Sequence, residues 1–174
     1  MKIHSVSLVH HPRAAVFRAY RDRLSEIADY IPDVREIKVQ TREDAGGVVK
    51  IHNVWVAQRE VPTALKVVLK PENLMWDDYA TWDEASMVCE WELKTRVFRD
   101  MVHCRGRNTF TEQGSATSVL LSGDLDIDIS SLPGVPGIVA RRLGPQVEKF
   151  IVSLITPNLE RVNQSLERFL DDHE

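Results

Sequence analysis

Three polar side chains stand where the surrounding pattern asks for apolar ones. Asn53 lies among Val49, Ile51 and Trp55; Asp78 shares its alternation with Leu74, Trp76 and Trp82; Asn108 sits two residues before Phe110. On a strand, residues two apart face the same way, so all three are expected to point inward. A buried carboxyl or carboxamide must be hydrogen-bonded. Such groups could orient the polar end of a ligand, or bond a neighbouring loop, and a one-residue slip of register would turn them to solvent. General acid–base chemistry would need a second titratable group beside Asp78. None of the six histidines supplies one: His10 and His11 form a loop pair before Pro12, His52 and His103 fall on outward faces, and His4 and His173 lie near the ends. No catalytic residue, metal site or cofactor is therefore assigned. Nucleophile-elbow, zinc-protease, phosphate-loop and dinucleotide motifs are missing. Asp124, Asp126 and Asp128 form a ladder on a solvent face, expected to serve solubility or to protect an edge, with Arg105 and Arg107 opposite as partners for cross-strand ion pairs.

The chain has 174 residues, 43% hydrophobic and 28% charged, with a net charge of -4. These values predict a single globular domain over residues 1–174 and argue against a nucleic-acid binder, which is usually basic. No apolar run of about 18 residues marks a membrane span. The start, Met1-Lys2-Ile3-His4-Ser5, lacks the features of a signal peptide. The expected location is the cytoplasm, with Cys89 and Cys104 as reduced, buried thiols.

The elements that must position these groups are mostly strands. Ile3–Val9 reads as a strand, broken by His10-His11-Pro12. Two short helices follow, one from Arg13 and one capped at Ser25, ending before Pro32. Strands are expected at 34–41, 48–57, 74–82, 86–95, 101–111 and 117–129, joined by turns at Arg42–Gly47, Asp83–Ala85 and Glu112–Ser115. Residues 60–70 suit a short amphipathic helix or a strand. Thr117–Ile129 alternates most cleanly, with Gly123 as a bend point. After the apolar loop Ser131–Val139 and a short helix at 138–143, a long helix runs from Gly144 to Glu174. Val147, Phe150, Ile151, Leu154, Ile155, Leu159, Val162, Leu166, Phe169 and Leu170 give it one broad apolar face. Pro157 is expected to kink it into two halves, so that any pocket lies under Leu154–Val162. The loop, followed by Arg141-Arg142, suits either a plug for the end of the sheet or a transient contact with a membrane surface.

Strands in one meander with helices at both ends are α+β. This order, with the His-His-Pro break into Ala14–Tyr20, the turn at Tyr30-Ile31-Pro32 and the closing Gln146–Phe150 helix, resembles the helix-grip fold of the START-like (SRPBCC) superfamily. The likeness is to its polyketide cyclase and lipid-transfer branch; residues 62–69 and the Gly106-Arg107-Asn108 step look like PRELI-like proteins. The resemblance implies a curved antiparallel sheet of about six or seven strands around the long C-terminal helix, with two short helices after the first strand. It also implies a cavity between sheet and helix for a lipid or other hydrophobic small molecule. The residues here that would touch that ligand are Asn53, Trp55, Trp76, Asp78, Met87, Trp91, Asn108, Phe110, Leu121, Phe150, Leu154 and Asn158. A carrier is the leading expectation. An aromatase/cyclase-type enzyme and an interaction module whose cavity is filled by side chains are the alternatives.

Overall fold

The computed structural model describes residues 1–130 and 132–173; Ser131 of the apolar loop and Glu174 of the expected helix lie outside the described residues. The elements are β1 (Lys2–Val9), α1 (Arg13–Asp22), α2 (Leu24–Ile27), β2 (Val34–Ala45), β3 (Val48–Ala57), β4 (Met75–Asp83), β5 (Val88–Thr95), β6 (Val102–Gln113), β7 (Ala116–Ile127) and α3 (Gly137–His173). The seven strands form one antiparallel sheet in the order β1-β7-β6-β5-β4-β3-β2. The sheet wraps α3, and α1 and α2 close one flank. This is the expected helix grip.

The alternation of β7 explains its place: Thr117, Val119, Leu121 and Leu125 are buried, while Ser122, Asp124 and Asp126 are exposed. Two positions at which pairing slips bend β2, between Val34 and Glu36 and between Val39 and Thr41. The hairpin after it is tighter than expected. Arg42–Ala45 belongs to the strand, and the turn is only Gly46-Gly47, at φ +60° and +85°. Left-handed backbone at both central residues is what a two-residue hairpin of matching twist requires.

Three further expectations are corrected. Residues 60–70 form neither an amphipathic helix nor a strand, but an irregular loop with one 3-10 turn at Thr63–Leu65. Its Leu65 and Leu69 are buried and anchor it. The Asp ladder is engaged only in part by the arginines opposite: the direct ion pair of Asp124 is with Lys2 on β1 at 2.5 Å and lowers its carboxyl, Arg105 across from it helps to lower it, and Arg107 binds Glu90 on β5. Finally, there is no separate helix at 138–143: helical structure is continuous from Gly137 through Gly144 and Pro157 to His173. α3 is one helix of 37 residues. Gly144 packs so closely that an added Cβ would lie 2.9 Å from the Ile129 carbonyl.

Helical structure persists through Pro157 because its missing bond is replaced. Proline has no N–H for the carbonyl four residues back, here that of Ser153. Arg59, in the loop after β3, donates from Nη1 to this oxygen at 2.6 Å, with its guanidinium 5.8 Å from the Phe150 ring centroid. Arg59→Ala should cost about 1–3 kcal/mol by leaving the carbonyl short of a partner. It should cost much less in a Pro157→Ala background, where the alanine N–H reaches Ser153. Urea unfolding of the four proteins in a double-mutant cycle checks this; additive effects would contradict it.

Candidate functional site

The sheet's concave face meets α3 at two small adjoining chambers. The inner one is walled by Tyr20 and Leu24 from α1 and α2, by Trp55, Trp76, Asp78, Ala80, Trp82, Cys89, Trp91, Leu93 and Asn108 from β3 to β6, and by Ile155, Asn158 and Leu159 from α3. All four tryptophans of the chain face it. The outer chamber is almost wholly apolar and lies toward the rim where β3, β5 and β7 end. Leu69, Leu74, Met75, Val97, Phe98, Phe150, Ile151 and Leu154 line it, with Asn73 and Thr95. Trp76 and Ile155 belong to both chambers and form the partition. The inner chamber encloses about 30 Å³ and the outer about 20 Å³, room for a water or two. In this conformation the grip is almost filled by its own side chains.

The polar groups of the inner chamber form two hydrogen-bonded sets. In the first, Asp78 accepts at one oxygen from Asn53 Nδ2 and Trp55 Nε1, each at 3.2 Å. The cross-strand pairing Asn53↔Asp78 puts the first two side by side. In the second, Asn108 Oδ1 accepts from Trp91 Nε1 at 3.0 Å, and Asn108 Nδ2 donates to the Tyr20 hydroxyl at 3.3 Å. Asn158 reaches in from α3. Its Nδ2 donates to the Leu154 carbonyl at 2.7 Å, while its Oδ1 is buried with no partner among the described residues. Burial pushes the Asp78 carboxyl up to about 6, against the hydrogen bonds from Asn53 and Trp55 that favour its ionised form. Burial also raises the Tyr20 hydroxyl and the Cys89 thiol, and the Asp78 charge adds to both. No cluster suited to holding a metal ion occurs among the described residues.

The six-membered ring of Trp91 packs against β6 and β7 at the paired residues Gly106 and Gly123. A Cβ at Gly106 would collide with the ring and stand 2.5 Å from the Ser122 carbonyl; one at Gly123 would stand 3.0 Å from the ring. The glycine at 123, read from the sequence as a bend, is therefore also a shelf for an aromatic side chain.

Of the expected ligand residues, Trp55, Trp76, Asp78, Trp91, Asn108 and Asn158 line the inner chamber; Phe150, Leu154 and Trp76 line the outer. Four line neither. Asn53 lies behind Asp78 as its donor. Phe110 and Leu121 are packed in the core, Phe110 edge-on to Phe17 at 5.2 Å. Met87 is not on the strand at all: it sits in the turn before β5 at φ +53°, its carbonyl bound by the Phe110 N–H. Residues missed from the sequence include Tyr20, Trp82, Ile155 and Phe98. A tyrosine on the buried face of a helix was the available signal for Tyr20, because its hydroxyl needs a partner.

No known protein-family profile matches the chain, and no curated protein matches it in sequence. Solved structures do match. A protein of Thermus thermophilus superposes with a TM-score of 0.66 at 20% identity, covering 97% of this chain and 95% of the other. The aromatase/cyclase ZhuI of Streptomyces sp. R1128 gives 0.57 at 18%, covering 98% and 95%. Truncated norcoclaurine synthase of Thalictrum flavum gives 0.58 at 10%, covering 100% and 95%. These structures share the helix-grip fold described above.

Two outcomes follow. Gly106→Ala should destabilise the protein by about 1–3 kcal/mol through overpacking, and should cost less in a Trp91→Val background than in the parent, as read by chemical denaturation. Asp78 has a folded value above its ordinary 3.8. The folded protein therefore holds this proton between about pH 4 and 6, where the unfolded chain has lost it. Stability falls as pH rises through that window, by about 3 kcal/mol in full. Asp78→Asn keeps an acceptor oxygen for Asn53 and Trp55. It should raise stability by about 1–3 kcal/mol near pH 7.5 and change little near pH 4; equal effects at both would contradict the assignment.

Proposed function

We propose that the protein binds an apolar small molecule, aromatic or lipid-like, that carries a polar hydrogen-bonding group, and holds it between the sheet and α3. The observation that supports this reading is the content of the inner chamber. Four indoles surround a carboxyl, two carboxamides and a tyrosine hydroxyl, and Asn158 Oδ1 has spare accepting capacity. A core built only for stability needs none of these polar groups, since burying them costs free energy unless every one is paired. A largely apolar site with a few convergent polar groups is the usual composition of a ligand pocket.

The polar end of the ligand would enter first and exchange hydrogen bonds with Asp78, Asn108 and Asn158. Its apolar part would lie past Trp76 in the outer chamber. Loading requires the partition and α3 to move apart, because the closed chambers are smaller than any such ligand. The aromatase/cyclase and the norcoclaurine synthase of the same fold are enzymes by name. A second reading, acid–base catalysis on the bound molecule, is favoured by one feature. Asp78 is 7% exposed with its carboxyl held up near 6, which suits proton transfer at neutral pH.

The test is solvent extraction of the purified protein with mass spectrometry of the extract, followed by titration with 1-anilinonaphthalene-8-sulfonate and a fluorescent fatty acid. Saturable binding of either probe, weakened about tenfold by Asn158→Leu, is the expected result. An empty extract with no saturable binding of either would sink the reading and favour a core filled by its own side chains.

A further inference from the structure

The sheet has two unlike rims. One carries the tight turns Gly46-Gly47 and those before Met87 and Ala116. At the other, β3, β5 and β7 end and β4 and β6 begin, as the pairings Val56↔Met75, Trp76↔Thr95 and Val102↔Ile127 show. The connections 58–74, 96–101 and 128–136 therefore meet at this second rim, where the outer chamber lies. α3 overhangs it. A helix of 37 residues is about 55 Å long at 1.5 Å per residue, whereas a strand of 12 residues spans about 40 Å.

Two properties concentrate here. The first is exposed apolar surface. Val67 and Ile138 are each 79% exposed, more than any other large apolar side chain among the described residues, and Val139 stands beside Ile138. Of the loop expected to plug the sheet, Leu132 is buried, but Ile138 and Val139 are not. The second is positive charge. The β3–β4 connection contributes Arg59, Lys66 and Lys70, the β5–β6 connection Arg96 and Arg99, and the overhanging first turns of α3 Arg141 and Arg142. Against these seven stand four acids, Glu60, Glu72, Asp100 and Asp128, on a chain whose net charge is -4. Arg96 is engaged by Asp77 and Arg59 by the Ser153 carbonyl. Lys66, Lys70, Arg99, Arg141 and Arg142 form no ion pair among the described residues.

Lys66-Val67 and Ile138-Val139 with Arg141-Arg142 thus repeat one arrangement on separate segments: an outward aliphatic side chain flanked by unpaired cations. We propose that this rim docks on an anionic lipid surface. The aliphatic side chains would enter the headgroup–acyl boundary, and the cations would sit over lipid phosphates and carboxylates. An acidic protein would satisfy the cations but gives no reason for aliphatic side chains standing clear of the surface at both places. The docked face borders the outer chamber, yet the proposal stands or falls independently of what the chambers bind.

The experiment is co-sedimentation of the whole protein with phosphatidylcholine vesicles containing about 30% phosphatidylserine, compared with pure phosphatidylcholine, at low salt and at about 0.5 M sodium chloride. Binding to the anionic vesicles only, lost at high salt, is expected. Arg141→Glu with Arg142→Glu should weaken it by about tenfold or more, and Val67→Glu with Ile138→Glu should weaken it comparably. Because all four positions are exposed, the melting temperature should not change. Equal binding to both vesicle types, no binding at low salt, or variants that bind like the parent would each overturn the proposal. So would a concentration-dependent dimer abolished by Ile138→Glu without vesicle binding, which would assign the face to a second copy of the chain.

Discussion

The apolar stripe of α3 must be covered, and the concave side of one seven-stranded sheet is the surface that covers it. Most other features of the protein answer to that demand. The bulges in β2 and the two-glycine hairpin allow the sheet to curve. Paired glycines on β6 and β7 make room for the Trp91 indole. Pro157 would interrupt the covered helix, and an arginine from a distant loop restores the lost hydrogen bond.

The contact between sheet and helix is not uniformly apolar, and the exceptions are concentrated. Asp78, Asn53, Asn108 and Asn158 are all below 9% exposed, within a few residues of four tryptophans. The hydrogen bond between Asn53 and Asp78, and those to Trp55, Trp91, Tyr20 and the Leu154 carbonyl, offset much of the desolvation, but not all of it. The Asp78 carboxyl remains harder to ionise than in water, and Asn158 Oδ1 is unpaired. Such groups make the centre of the grip its most chemically distinctive part. The same chambers are closed to about 30 Å³ and 20 Å³, so the free energy of opening would be set against any affinity for a guest.

Periodicity made much of this readable in the sequence. The alternation of Thr117–Ile129 and of Cys89, Trp91 and Leu93 placed β7 and β5, and the polar residues that broke the inward pattern on β4 and β6 were Asp78 and Asn108. What escaped was decided by contacts between distant segments. Tyr20 meets Asn108 across 88 positions, and Arg59 meets Ser153 across 94. No local pattern announces either, so the tyrosine read only as a helix-face residue and Pro157 only as a kink. Met87 failed for a different reason. It continued the parity of Cys89 and Trp91, but the backbone turns at φ +53° there and takes it off the strand. The corresponding loop at Phe98, at φ +57° over the outer chamber, also lay beyond any periodic signal.

The central claim is that a guest occupies the space under α3 by replacing the hydrogen bonds now closed within it. The indole N–H resonances of Trp55 and Trp91, which donate to Asp78 and Asn108, report on that exchange in a nitrogen–proton correlation spectrum. Titration with a fatty acid or an aromatic acid should shift these two cross-peaks together with that of the partition residue Trp76, and should do so saturably. If all four indole cross-peaks of the chain stay in place at saturating concentrations of both probes, the chamber is a filled core and the account is wrong.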